Sequence, residues 1–114
     1  MTSFENREQA FEAKFAHDEE FRFLTNARRD KLFGHWAAAI MGLSPTEESA
    51  LLAAVLAISD KRGHDRILRD YIAARLSAAG HRMTDTALVE ALEQCGRDAR
   101  QQLIAHPPEH SEIV

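Results

Sequence analysis

The sequence predicts an all-α fold, a four-helix bundle preceded by a mobile, partly helical N-terminal arm, and three observations carry that prediction. Apolar residues recur at three- and four-residue steps through every long segment, with no sustained period-two alternation of the kind a strand requires. Helix punctuation falls between those segments, at Ser44-Pro45, Gly63, Gly80 and Thr84-Asp85. The excess negative charge is confined to the first twenty residues, so the body that follows is electrically balanced.

The first helix of the body carries Phe21, Leu24, Leu32, Trp36, Ala39 and Leu43 on one assigned stripe, and Gly42 helps to close it. Ser44, Pro45 and Glu47 then supply a cap, a proline at the first helical position and a glutamate three residues after the cap, so a second helix starts at Pro45. Its apolar set is Leu51, Leu52, Val55, Leu56 and Ile58. Gly63 is read as a break in preference to a kink within one long helix, which would cost about 1 kcal/mol relative to alanine. Asp65 or a neighbour starts a third helix bearing Ile67, Leu68, Tyr71, Ile72 and Leu76, ended by Gly80. Thr84 or Asp85 caps the fourth, whose stripe is Leu88, Leu92, Cys95, Ala99 and Leu103 and which ends before Pro107-Pro108. Connections this short favour antiparallel neighbours. The expected organisation is an arm over 1–19, a bundle over 20–105 and a disordered tail over 106–114.

With 114 residues, 45% hydrophobic and 28% charged, the chain has room for one core and the composition of a globular domain. The apolar stretch Leu51 to Ile58 is too short to span a bilayer, and the first twenty residues lack the basic and apolar regions of a secretory signal. One cysteine, Cys95, cannot form an internal disulfide and agrees with a reducing compartment, so a cytoplasmic location is expected. Residues 1–20 hold six acids (Glu5, Glu8, Glu12, Asp18, Glu19, Glu20) against two bases (Arg7, Lys14), which accounts for the whole net charge of −4. The remainder has twelve of each sign, leaving no surplus of positive charge for a nucleic-acid backbone.

The arm differs in kind from the helices behind it. As a helix it sets Phe4, Phe11 and Phe15 within about 40° of one another at 100° per residue, a narrow aromatic ridge with charged flanks. The repelling Glu8 and Glu12 pair weakens a helix of this length by a few tenths of a kcal/mol. By pattern alone, packing of the ridge on the bundle as a fifth helix, or as an extension of the first, is preferred over insertion into a partner.

Other readings of single residues are bland. No metal site is expected, because no Glu-x-x-His pair occurs and His106 and His110 flank two prolines. His17 beside Asp18, Glu19 and Glu20 reads as part of a solvated acidic hinge. His35 reads as a partly buried structural histidine, with His35 and His64 the nominees for a phosphotransfer-like helical adaptor, the alternative function. Cys95 reads as an inert packed thiol, Arg28, Arg29 and Lys31 as a solvated basic face, and Trp36 as a core anchor. No residue has a recognisable catalytic partner, so neither enzymatic activity nor a cofactor is expected.

The stretch Phe11 to Glu20, FEAKFAHDEE, followed by Ala27-Arg28-Arg29-Asp30-Lys31-Leu32-Phe33-Gly34-His35-Trp36-Ala37-Ala38, resembles the ATPase inhibitor subunit zeta family of alphaproteobacterial F-type ATP synthases. The resemblance reverses the preference for a fifth helix. It implies a four-helix bundle bearing an inhibitory arm that becomes helical and wedges between α and β subunits of the catalytic head, touching the γ shaft. Hydrolysis is blocked and synthesis largely spared. On this resemblance the arm runs from about Thr2 to His17, with Phe4, Phe11 and Phe15 as apolar anchors. Glu5, Arg7, Glu8, Glu12 and Lys14 are the candidate polar contacts. The implied protein is monomeric when free, binds no nucleic acid, does not insert into the membrane and is held peripheral to it through the synthase. The linker Asp60-Lys61-Arg62-Gly63-His64-Asp65 departs from the family pattern, which is more acidic and contains proline.

Overall fold

A computed structural model describes residues 19–106. Four helices make up this region: α1 (Glu19–Met41), α2 (Pro45–Leu56), α3 (His64–Ala78) and α4 (Asp85–Ala105). The expected arm over 1–19 and tail over 106–114 lie outside the described residues except at their inner ends.

Each boundary has a local cause. At the end of α1, Leu43 N–H donates to Ala38 O (3.1 Å) and Gly42 N–H to Ala39 O (3.3 Å), the paired bonds of a Schellman turn. The same pair recurs after α3, where His81 donates to Leu76 and Gly80 to Ser77. At Pro45 the capping box is complete: Glu47 N–H donates to Ser44 Oγ (3.2 Å) and Ser44 N–H to Glu47 Oε1 (3.0 Å). Of the two candidate caps for α4, Thr84 takes the role, accepting from Ala87 N–H at 3.1 Å. Gly63 is a break. It sits at φ +86°, a left-handed conformation that residues with a Cβ rarely adopt, and α3 begins with the next residue.

α1 is the spine and packs against each of the other three helices. It runs antiparallel to α2: His35 meets Glu48 near one end, and Phe23 shares a groove with Leu56 and Ile58 at the other. It is also antiparallel to α4, with Arg29 beside Gly96 and Phe21 beneath the Arg100 guanidinium at 5.8 Å. α1 and α2 pack tightly at Gly34, where an added Cβ would come within 2.7 Å of Leu52 Cδ2.

The core joins Phe33, Ala37 and Ala38 of α1 to Leu51 and Val55 of α2, Leu68, Ile72 and Leu76 of α3, and Leu88, Leu92 and Cys95 of α4. Burying each of these larger side chains contributes about 1.5–3 kcal/mol. Three expectations need correction. Ala39 is exposed, because the buried set Phe33, Gly34, Ala37 and Ala38 spans about 140° of α1 at 100° per residue, a broad arc set by several neighbours and not a single stripe. Leu56 and Ile67 are more than half exposed; the buried positions are Leu51 and Val55 of α2 and Leu68, Ile72 and Leu76 of α3. Trp36 lies at the margin of the core, stacked on the fully buried Phe33 with ring centroids 5.4 Å apart.

Candidate functional site

The residues assigned to partner binding, Phe4, Glu5, Arg7, Glu8, Phe11, Glu12, Lys14 and Phe15, all lie outside the described residues. The structure describes the platform to which they are joined: the N-terminal half of α1 and the α2–α3 connection laid across it.

That junction is polar and largely buried, with Asp65 at its exposed margin. Asp30 is 6% exposed, the one charged or polar residue in the buried class among the described residues. Its Oδ2 lies 2.6 Å from His64 Nε2, and its Oδ1 accepts from Arg29 Nε at 3.0 Å. The other ring nitrogen of His64, Nδ1, is 2.8 Å from the carbonyl oxygen of Ser59. Arg29 also holds Asp65 in a two-pronged pair at 2.8 and 3.3 Å. Both nitrogens of His64 therefore face acceptors, and only the imidazolium donates to both. Burial pulls the pKa of His64 down, but the Ser59 bond and the bond and charge of Asp30 outweigh it, so the net shift is upward from 6.5. Burial likewise opposes the charge on Arg29, and its bonds to Asp65 and Asp30 more than compensate.

These contacts correct the reading of the basic cluster as a solvated face. The Arg29 side chain is tied down and largely covered, while Lys31 is exposed and Arg28 half-buried. His35 is part-buried as expected, with Nδ1 2.8 Å from Glu48 Oε1. Both nominees for phosphotransfer are thus engaged with acceptors. Cys95 is buried on the core face of α4, and burial, then the charge of Asp98, push its thiol pKa up against the opposing pull of Arg29, which disfavours the nucleophilic thiolate. Among the described residues no group of three His, Cys, Asp or Glu is placed to hold a metal, and no helix is long and apolar enough to cross a membrane.

Sequence reasoning missed Asp30 and its partnership with His64. A signal was there: Asp30 stands three residues before Phe33 and seven before Ala37, on the helical face that both bury, and an acid there needs a partner. What could not be read is which of the distant bases would supply it.

Two hollows flank the junction. One, of about 240 Å³, is lined by Phe23, Ala27, Leu56 and Ile58 with Asp30 and His64. The other, of about 430 Å³, is lined by Arg29, Lys61, His64, Asp65, Arg66 and Arg69 among others. Phe23 is 60% exposed and Leu56 52%, so the smaller hollow opens on an apolar rim.

Fold and junction together define a small helical-bundle protein whose buried titratable groups hold its own helices in place. The chain belongs to the ATPase inhibitor subunit zeta family, whose model matches residues 1–102, arm and bundle alike. No curated protein and no solved structure matches it.

Proposed function

We propose that this chain inhibits ATP hydrolysis by an F-type ATP synthase through insertion of its N-terminal arm at an α/β catalytic interface, against the γ shaft. Rotation in the hydrolysis direction is then blocked by a wedge. The bundle carries the arm and performs no chemistry of its own. The observation that carries this reading is the extent of the family match, which includes residues 1–18 together with the bundle. The acidic arm with its three-phenylalanine ridge, ahead of a body that closes its own core, fits that division of labour.

Phe4, Phe11 and Phe15 act as anchors, and Glu5, Arg7, Glu8, Glu12 and Lys14 as polar contacts. Burying three phenylalanines contributes about 1.5–3 kcal/mol each, enough to offset an ordering cost of about 2–5 kcal/mol for a segment that folds on binding. The protein acts on the cytoplasmic side, peripheral to the inner membrane through the synthase, and is monomeric when free.

Replacing both Phe11 and Phe15 with alanine tests the reading. Losing about 3–6 kcal/mol of burial raises the inhibitory constant roughly 100-fold or more. Stability in urea falls by no more than about 1.5 kcal/mol, because the core of the described helices closes between Phe33 and Cys95. A loss of stability as large as the loss of inhibition would make the ridge a packed fifth helix instead.

A further inference from the structure

We infer that the α2–α3 connection is a proton-operated latch: the doubly protonated ring of His64 clasps the connection to α1, and loss of one ring proton releases it locally while the helices stay folded. Neither state depends on whether the chain inhibits a synthase.

His64 Nε2 lies 2.6 Å from Asp30 Oδ2 on α1, and Nδ1 lies 2.8 Å from the carbonyl oxygen of Ser59 in the connection. One ring thus bridges the two segments, and donating on both sides takes a proton on each nitrogen. Among the described residues, the bond to Ser59 is the one side-chain hydrogen bond made to residues 57–63. The backbone bonds there are local, Ala57 to Ala53, Ile58 to Val55 and His64 to Lys61, so none of them ties the connection to α1.

A neutral imidazole donates only once, and the position of its proton decides which bond breaks. Asp30 is 6% exposed, and taking a donor away from a buried carboxylate is costly, so the proton stays on Nε2. Nδ1 then presents a lone pair to the Ser59 carbonyl, two acceptors face each other, and the connection lets go. Arg29 keeps the rest of the junction closed, because it donates to Asp30 Oδ1 at 3.0 Å and to Asp65 Oδ1 at 2.8 Å, joining α1 to α3 without the ring. The opening is therefore local, of the kind that costs far less than global unfolding. Asn26, Asp60 and His64 line both hollows, so release of the connection removes part of the partition between them.

Charged groups reach the ring from each element at the junction. Asp30 and Arg29 come from α1, Asp60 and Lys61 from the connection, and Asp65, Arg66 and Arg69 from α3. Burial opposes the charged ring, but the bonds to Ser59 and Asp30 and the charges of Asp30 and Asp65 outweigh it, so the pKa stands above 6.5. A raised value of this sign keeps the latch closed below 6.5 and opens it as pH rises through the folded-state pKa.

Nuclear magnetic resonance of the full chain, titrated from about pH 5 to about pH 9, reads the latch directly. The ring nitrogens of His64 should report the imidazolium at the acid end and the Nε2–H form at the alkaline end. The amides of Ser59 to Gly63 should shift with the ring's midpoint and lose their heteronuclear NOE above it, while those of Leu88 to Leu92 hold theirs. In His64→Gln that pH dependence should be absent; the ring and amide readouts use the native chain and stand even where the substitution disturbs folding. A neutral ring of the Nδ1–H form, which keeps the Ser59 bond, would overturn the latch. So would connection amides that ignore the ring's midpoint, or a change that persists in His64→Gln and so belongs to another group. Loss of order in Leu88 to Leu92 at the same midpoint would make the event global unfolding and no latch.

Discussion

The bundle is held by two regions of opposite chemistry. The apolar layer of Phe33, Leu51, Val55, Leu68, Ile72 and Leu76 is sealed, each side chain fully buried. The junction of Asp30, His64, Arg29 and Asp65 lies across the same helices and is built from charges. Burial of hydrocarbon is non-directional, so the layer supplies stability and tolerates more than one helix register. Buried ion pairs return little net stability once desolvation is subtracted, yet their loss on one side is costly, so the junction specifies where the α2–α3 connection sits. Here that connection forms one wall of the groove beside the point where the arm joins.

Substitutions that strike one region at a time sharpen the contrast. Phe33→Ala should cost the most, about 3–5 kcal/mol of unfolding free energy in urea titration, as for other buried aromatics. Asp30→Ala should cost about 2–3 kcal/mol, less than full burial would give, because it leaves His64 and Arg29 facing each other with partial access to water. Its amide shifts should concentrate in residues 57–66, whereas those of Phe33→Ala spread through all four helices. Equal and equally diffuse effects would erase the distinction.

A third test uses pH. The folded-state pKa of His64 lies above its unfolded value near 6.5. The stability it contributes is therefore complete below that unfolded value and is lost as pH rises through the folded one. Urea midpoints should decline across that window in the native chain and stay flat there in His64→Gln. A matching decline in both would place the titration elsewhere.

Smaller effects mark the edges. Ser44→Ala removes the cap of α2 and should cost about 1 kcal/mol. Arg66 and Asp70, 3.9 Å apart and both well exposed, form an ion pair of the same chemistry as the junction without its burial. Arg66→Ala should change stability by less than about 0.5 kcal/mol.

Much of the fold was legible because its signals are local. Ser44 and Glu47, Thr84, and the turns at Gly42 and Gly80 each act within six residues, and the 88, 92, 95, 99, 103 stripe of α4 is buried as its spacing requires. The face of α1 was misread at Ala39 because a central helix with several partners buries a broad arc and shows little amphipathicity. The junction was not legible for a related reason: Asp30 and His64 are separated by 34 residues, and their pairing follows from where the α2–α3 connection lands, which no local rule fixes. The exposed Leu56 looked like core because periodicity assigns a residue to a face without saying whether that face is covered.

The central claim is that inhibition resides in the arm and the fold resides in the bundle. Hydrolysis of ATP by the cognate synthase, titrated with the full chain and with a chain lacking residues 1–19 whose cooperative unfolding is followed in parallel, tests it most directly. The account predicts that the shortened chain unfolds cooperatively and leaves hydrolysis unchanged at every concentration. A shortened chain that inhibits as well as the full one would contradict it.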